Sequence, residues 1–262
     1  MSSPRRESVH PMVAVLAACG ISFVLLPVVA LVVRAPWAHA VKALGSNGSW
    51  TALRLSLVVS VSAAGISVVL GLPVAWVLAR GRVPGRAAIR ALIVLPIVLP
   101  PVVGGIGLLA ALGRTGMAGR WLARLGIQLP FTTAGAVVAA TFVSMPLLVL
   151  AAEAGFRSLD GRLEDAASTL GGSRAYVFRR VTLPLIAPQL AAGAVLAWAR
   201  ALGEFGATIT FAGNLAGRTQ TLPLAVYQAR EADPGAAILL SLLLVVLSLV
   251  VLVLLRDRLS SR

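Results

Sequence analysis

Few residues in this chain are of the types that carry chemistry. It has two histidines, His10 and His39, and one cysteine, Cys19. Such a set builds neither a disulfide framework nor a Cys/His metal cluster. No nucleophile, base and acid fall together either, because the carboxylates are scattered and the cysteine lies inside an apolar run. The only lysine is Lys42, and Ala43 follows it, which excludes the phosphate loop G-x-x-x-x-G-K-[ST]. Any ATP this protein depends on must be hydrolysed by another chain. One charged pair is conspicuous: Arg200 and Glu204 stand four residues apart within an apolar stretch, so on a helix they face each other. An unpaired charge at membrane depth costs at least about 2.5–3.5 kcal/mol. The pair is therefore either a structural brace, within or between subunits, or a place where Arg200 attracts an anion.

The elements around these residues belong in lipid. Of 262 residues 58% are hydrophobic and 12% charged, and the mean hydropathy is +0.93. A soluble domain of this size cannot be covered by 23 basic and 9 acidic side chains, and a disordered chain would not be this apolar. The net charge of +14 raises the question of nucleic acid, but the basic residues form short clusters between apolar runs rather than one stripe. That distribution suits lipid headgroups and topology signals, so membrane lipid is the expected partner and nucleic acid is not.

A spanning helix needs about 20 apolar residues. Six stretches meet the need: Met12 to Val33, Leu53 to Ala79, Ala87 to Leu112, Thr133 to Ala154, Pro188 to Leu202 with a less clean continuation toward Phe211, and Ala236 to Leu255. The fold class is thus an all-α integral membrane protein with about six transmembrane helices. Counted on alternate sides, 14 basic residues fall on the side of Arg5 and Arg6 and nine fall on or near the other. Positive charge marks the cytoplasmic side, which places both termini there. The domain reading is a tail over 1–11, a first transmembrane helix over 12–33, a main transmembrane domain over 51–255 and a tail over 256–262.

Three local features need a reading of their own. Arg5-Arg6, an apolar run and Ala38-His39-Ala40 mimic a cleaved signal peptide, and Leu16-Ala17-Ala18-Cys19 mimics a lipoprotein box, but the run over 12–33 is longer than the 7–15 residues of a signal core. The third span carries Pro96, Pro100 and Pro101, then Gly104, Gly105 and Gly107, so it is kinked or broken near its middle. The break serves packing alone or lines a conduction path. In the second span Ser56, Ser60 and Ala64 recur every four residues, a spacing that lets helices approach closely.

Between spans four and five lies a polar segment, 158–184, which the charge count places in the cytoplasm. Asp160 caps a helix whose Leu163, Ala166, Ala167 and Leu170 make one narrow apolar face, and Gly171 with Gly172 stops it. Ser173 caps a second short helix through Arg180, ending before Leu183-Pro184, and Pro188 starts the next span. Helices this short need a surface to dock against, either a partner or the lipid headgroups.

Asp165-Ala166-Ala167, three residues, Gly171, nine residues and Val181-Thr182-Leu183-Pro184 reproduce the spacing of the E-A-A-x3-G-x9-I-x-L-P loop. On this motif the chain resembles the membrane-spanning subunit of a bacterial ABC importer, with Asp165 for Glu and Val181 for Ile as conservative departures. The resemblance implies that the loop is a coupling helix seated on a cytoplasmic ATPase, with Glu164, Asp165, Ala166, Ala167, Leu170, Gly171, Leu183 and Pro184 as the coupling residues. It implies a homodimer of this permease with two ATPase subunits and an extracytoplasmic substrate-binding protein, in the bacterial inner membrane. The chain would be no enzyme and hold no cofactor; ATP and Mg2+ belong to the partner ATPase.

The stretch from Trp198 through Arg200-Ala201-Leu202-Gly203-Glu204-Phe205-Gly206-Ala207-Thr208-Ile209-Thr210, with Thr221-Leu222-Pro223-Leu224-Ala225-Val226-Tyr227 further on, is similar to the oxyanion branch of these importers. Within that branch it is most similar to molybdate permeases, with sulfate, thiosulfate or tungstate import as the alternative. A tetrahedral oxyanion offers only acceptors, so its path needs donors, and Arg200, Thr208, Thr210, Asn214, Arg218, Thr219 and Thr221 supply them. The bland reading of most of these is loop polarity. A transporter from another class, driven by an ion gradient, would need intramembrane carboxylates, for which Glu153 and Glu204 are the only candidates.

Overall fold

The long apolar runs fold as helices whose lengths follow the bilayer. The computed structural model describes residues 10–260, so the tail expected over residues 1–9, with Arg5 and Arg6, and the terminal Arg262 lie outside the described residues. In chain order the helices are α1 (Pro11–Arg34), α2 (Ala40–Leu44), α3 (Asn47–Arg80), α4 (Arg86–Val98), α5 (Pro101–Leu112), α6 (Gly119–Arg124), α7 (Thr133–Ser158), α8 (Gly161–Thr169), α9 (Arg174–Val177), α10 (Leu183–Leu202), α11 (Gly206–Ala212), α12 (Leu222–Ala232) and α13 (Pro234–Ser260). No strand occurs among the described residues. Five stretches are long and apolar enough to cross a bilayer, and α4 with α5 makes a sixth if the bent pair is one span.

Helices α3, α7 and α10 form the core. Along α3 the buried residues Ala52, Ser56, Ser60, Ala63, Ser67, Gly71, Ala75 and Leu78 follow steps of three and four, the stripe expected of a 3.6-residue period. The four-residue spacing of Ser56, Ser60 and Ala64 therefore drifts off the interface, and Ala63 takes the buried place while Ala64 is half-buried. Small residues let the helices close: a Cβ on Gly193 of α10 would stand 2.7 Å from the Cβ of Ala151 on α7.

The direction of each helix follows from its neighbours. Val59 and Ala63 pack with Ala136 and Ala140, Ser67 Oγ lies 3.4 Å from Ser144 Oγ, and Leu78 packs with Phe156, so α3 and α7 run parallel. The intervening chain must then cross once. Helices α4 and α5 do this together, since Arg90 reaches Glu153 near the end of α7 while Leu108 packs on Ala139 near its start. The two meet at a bend of 119°. Leu99 and Pro100 each precede a proline, which disfavours helical backbone, and both are extended, with ψ of 137° and 131°. The expected break is thus located at Leu99–Pro100.

Helix α10 returns antiparallel to α7, from Ile186 beside Phe156 to Ala201 beside Ala136. Ala35, just past α1, packs on Leu239 and Leu242 of α13, and Leu240 packs on Ala52 of α3, so α1 ends where α3 and α13 begin. It follows that α1 starts, and α13 finishes, at the end of the bundle where α3 and α7 finish. Helix α13 continues to Ser260, through most of the segment expected as a tail over 256–262.

Two boundaries of the fifth span differ from expectation. The helix does not stop before Leu183-Pro184 and restart at Pro188; it runs unbroken from Arg174 to Leu202 through a π turn over Phe178–Thr182. The N–H of Leu183 bonds to the carbonyl of Phe178, five residues back, and this shift of register seats Pro184 in the first turn of α10 without breaking it. At the other end α10 stops at Leu202 rather than continuing toward Phe211, because Gly203, Glu204 and Phe205 interrupt the helix before the separate α11.

Candidate functional site

At the end of the bundle where α3 and α7 finish, α8 stands out from the spans. Asp160 caps it, its Oδ1 accepting from the N–H of Arg162 at 3.0 Å. It ends as a Schellman turn: Gly171 takes φ +89°, its N–H bonds to the carbonyl of Ser168 at 3.0 Å, and the N–H of Gly172 bonds to the carbonyl of Ala167 at 3.1 Å. Ser173 then caps α9, accepting from the N–H of Tyr176. The expected capping residues and glycine stop are all in place.

The apolar face of α8 is left largely uncovered by the described residues. Leu163 is 48% exposed and Leu170 89% exposed, and Asp165, Ala166 and Pro184 are exposed as well. Ala167 and Leu183 are half-buried. Glu164 behaves differently from its neighbours and turns inward. Its Oε2 takes a hydrogen bond from Arg80 Nη1 at 2.8 Å, and its Oε1 takes one from the buried Thr182 hydroxyl at 2.5 Å. Arg80 also donates to the carbonyls of Phe156 and Leu159 at the close of α7. Thr182 falls at the unspecified position of the loop motif, which gives it no role, and no motif or periodicity reaches Arg80. Arg80 lies 84 residues from its partner, and the sole hint is a cation in the last turn of a long helix.

A second ionic cluster lies one turn deeper. Glu153 is 2% exposed, with Arg90 Nε at 3.0 Å and Arg157 Nη2 at 2.6 Å from its carboxylate. Held between two guanidinium groups, this carboxylate is charge-compensated, which does not suit a gradient-coupled ion site.

Toward the other end, Arg200 and Glu204 form the ion pair that their spacing implies. The geometry adds a third member: Glu204 Oε1 accepts from the N–H of Ala207 at 2.8 Å, so the carboxylate both neutralises Arg200 and satisfies the first turn of α11. Glu204 is 1% exposed and Arg200 34%. Helix α11 is wedged against α5. A Cβ on Gly105 would stand 2.6 Å from Thr210 Cβ, and one on Gly206 2.8 Å from Pro101 Cβ. Gly104 meets the Phe142 ring in the same way, so two of the three glycines in the third span serve packing, while Gly107 faces open space.

The expected donors fall into two groups. Thr210 donates to the carbonyl of Gly206, Asn214 Nδ2 to Gln228 Oε1, and Thr219 to the carbonyl of Gly213 while accepting from Leu215. These hold local structure. Among the described residues, the buried hydroxyls of Thr208 and Thr221 and the Oδ1 of Asn214 find no partner.

A bundle of six apolar crossings, carrying an uncovered amphipathic helix at one end and a neutralised ion pair toward the other, has the build of a transport subunit. The chain belongs to the family of binding-protein-dependent transport system inner membrane components, whose model matches residues 67–262. Among individual proteins it is 49% identical over 235 residues to the Molybdenum transport system permease protein ModB of Mycobacterium tuberculosis, covering 90% of this chain and 89% of that protein. It is 38% identical to the Sulfate transport system permease protein CysW of Synechocystis sp., over 79% of this chain and 76% of that one. In fold it matches a bacterial ABC transporter involved in the import of the acidic polysaccharide alginate, with a TM-score of 0.72, 18% identity and 94% of each chain covered.

Proposed function

We propose that this chain is the permease subunit of an ATP-driven importer that carries molybdate into the cytoplasm by alternating access. It acts as a homodimer with two cytoplasmic ATPase subunits, which consume the ATP and Mg2+, and with one extracytoplasmic binding protein; it binds no cofactor itself. The observation that carries this reading is the apolar face of α8, held away from the bundle with Leu170 89% exposed and so available to a partner. The end bearing α8 is the cytoplasmic one, as 14 of 23 basic residues lie on that side of the charge count, and both termini share it. Asp165, Ala166, Ala167, Leu170 and Gly171 face the ATPase, with Leu183 and Pro184 behind them. Glu164 acts from the inner side.

On the path itself, Glu204 braces the turn between α10 and α11 and leaves the half-exposed edge of Arg200 for the passing dianion. Thr208 lies buried in α11 beside this turn, Thr210 bonds within α11, and Asn214 ties the outer loop to α12. Weak binding here suits transport, because a path must release what it receives. The test is ATPase activity of the complex reconstituted in liposomes with its binding protein, comparing molybdate, tungstate and sulfate. Stimulation with uptake of molybdate is the expected result, and tungstate, of the same charge and nearly the same size, should follow it. Stimulation by sulfate alone would replace the substrate, and uptake that follows a proton gradient instead of ATP would overturn the mechanism.

A further inference from the structure

We propose that the Glu164 carboxylate is the strut through which α8 moves the spans: a positioning group that ties the coupling helix to α3 and α10 at once. The proposal deepens the importer reading and rests on it. Helix α8 buries no residue of its own, so packing does not fix its angle to the bundle. On one flank an open groove of about 720 Å³ separates it from α3, lined by Leu72, Trp76 and Arg80 on one side and Ser168, Arg174 and Phe178 on the other. Among the described residues, and apart from the chain itself at either end of α8, the side-chain bonds that bridge to the spans are those of Glu164.

Each bond reaches a different moving part. Arg80 is the last residue of α3, and its remaining donors hold the carbonyls of Phe156 and Leu159, so one guanidinium gathers the ends of α3 and α7. Thr182 is the last residue of the π turn that leads into α10, and it is buried. A push on α8 therefore reaches all three core helices through a single side chain. With the carboxylate removed, α8 still folds, since its Asp160 cap and Gly171 stop are independent of Glu164, but it can swivel about its two ends. The neighbouring Asp165 points outward and does not substitute.

The experiment uses the full transporter in liposomes and reads molybdate taken up per ATP hydrolysed, for the wild type, Glu164→Gln, Thr182→Val and Thr182→Ser. Glu164→Gln should assemble with the ATPase, while uptake per ATP falls roughly tenfold, the size of effect that losing one charge-assisted hydrogen bond produces. Thr182→Val should fall in the same direction and Thr182→Ser should restore the wild-type ratio, which a loss of folding alone would not produce. If Glu164→Gln does not assemble, the Val and Ser pair at 182 decides the matter. Wild-type coupling ratios in Glu164→Gln, or in Thr182→Val, would overturn the strut while leaving the importer intact. A wild type without ATP-driven molybdate uptake would instead overturn the importer reading itself.

Discussion

Gly171 occupies φ +89°, a region L side chains rarely adopt, yet a Cβ built there meets nothing within 4 Å. The demand for glycine is thus conformational rather than a matter of space, and replacing it costs about 1–2 kcal/mol locally without touching the spans. We expect Gly171→Asp to insert and assemble normally but to tilt the end of α8 and add a charge beside its apolar face. ATP hydrolysis should then lose its stimulation by molybdate, and uptake should fall with it. Normal stimulated hydrolysis and uptake in this variant would remove α8 from the coupling path. At this scale the sequence was legible wherever the interaction is local. The Asp160 and Ser173 caps, the Gly171 stop and the Arg200–Glu204 pair all lie within five residues of their partners. The two bonds of Glu164 and the clamp on Glu153 by Arg90 join residues 18 to 84 positions apart, and no spacing rule reaches that far.

Among the elements, the broken third span shows what composition can and cannot specify. Pro100 and Pro101 dictate where the helix must break, because each restricts the residue before it. They do not dictate the 119° turn, which is fixed by what α5 packs against: Phe142 at Gly104 and Thr210 at Gly105. Gly105→Leu should force α5 from α11 and destabilise the subunit by about 1–3 kcal/mol, the usual cost of overpacking. Gly107→Leu, which meets nothing within 4 Å, should be close to neutral. Thermal unfolding of the two variants in detergent separates them, and equal melting temperatures would mean that α5 and α11 are not in close contact. The fifth span misled for a related reason. Two prolines read as a stop and a restart, whereas a π turn absorbs Pro184 by shifting the hydrogen-bond register, a device that leaves no mark on hydropathy.

For the molecule as a whole, the count of crossings decides which residues meet the ATPase and which meet the binding protein, and the count hinges on α4 and α5. A re-entrant pair would return to the side it left. The parallel packing of α3 and α7 forbids that, since Ser67 lies opposite Ser144 and Leu78 opposite Phe156, so the chain leaving Arg80 must reach the far end before Thr133. The charge count gave the same parity from independent grounds, with Arg82, Arg86 and Arg90 on one side and Arg114, Arg120 and Arg124 on the other. Replacing Cys19 by serine gives a background without thiols, into which Arg82→Cys and Met117→Cys can be placed one at a time; both native residues are exposed. A membrane-impermeant maleimide should label position 82 only in inverted vesicles and position 117 only in right-side-out ones. Labelling of both from one face would make α4 and α5 re-entrant and turn α7 around. The core contacts between α3 and α7 would then be impossible, and α8 would be carried to the side away from any ATPase.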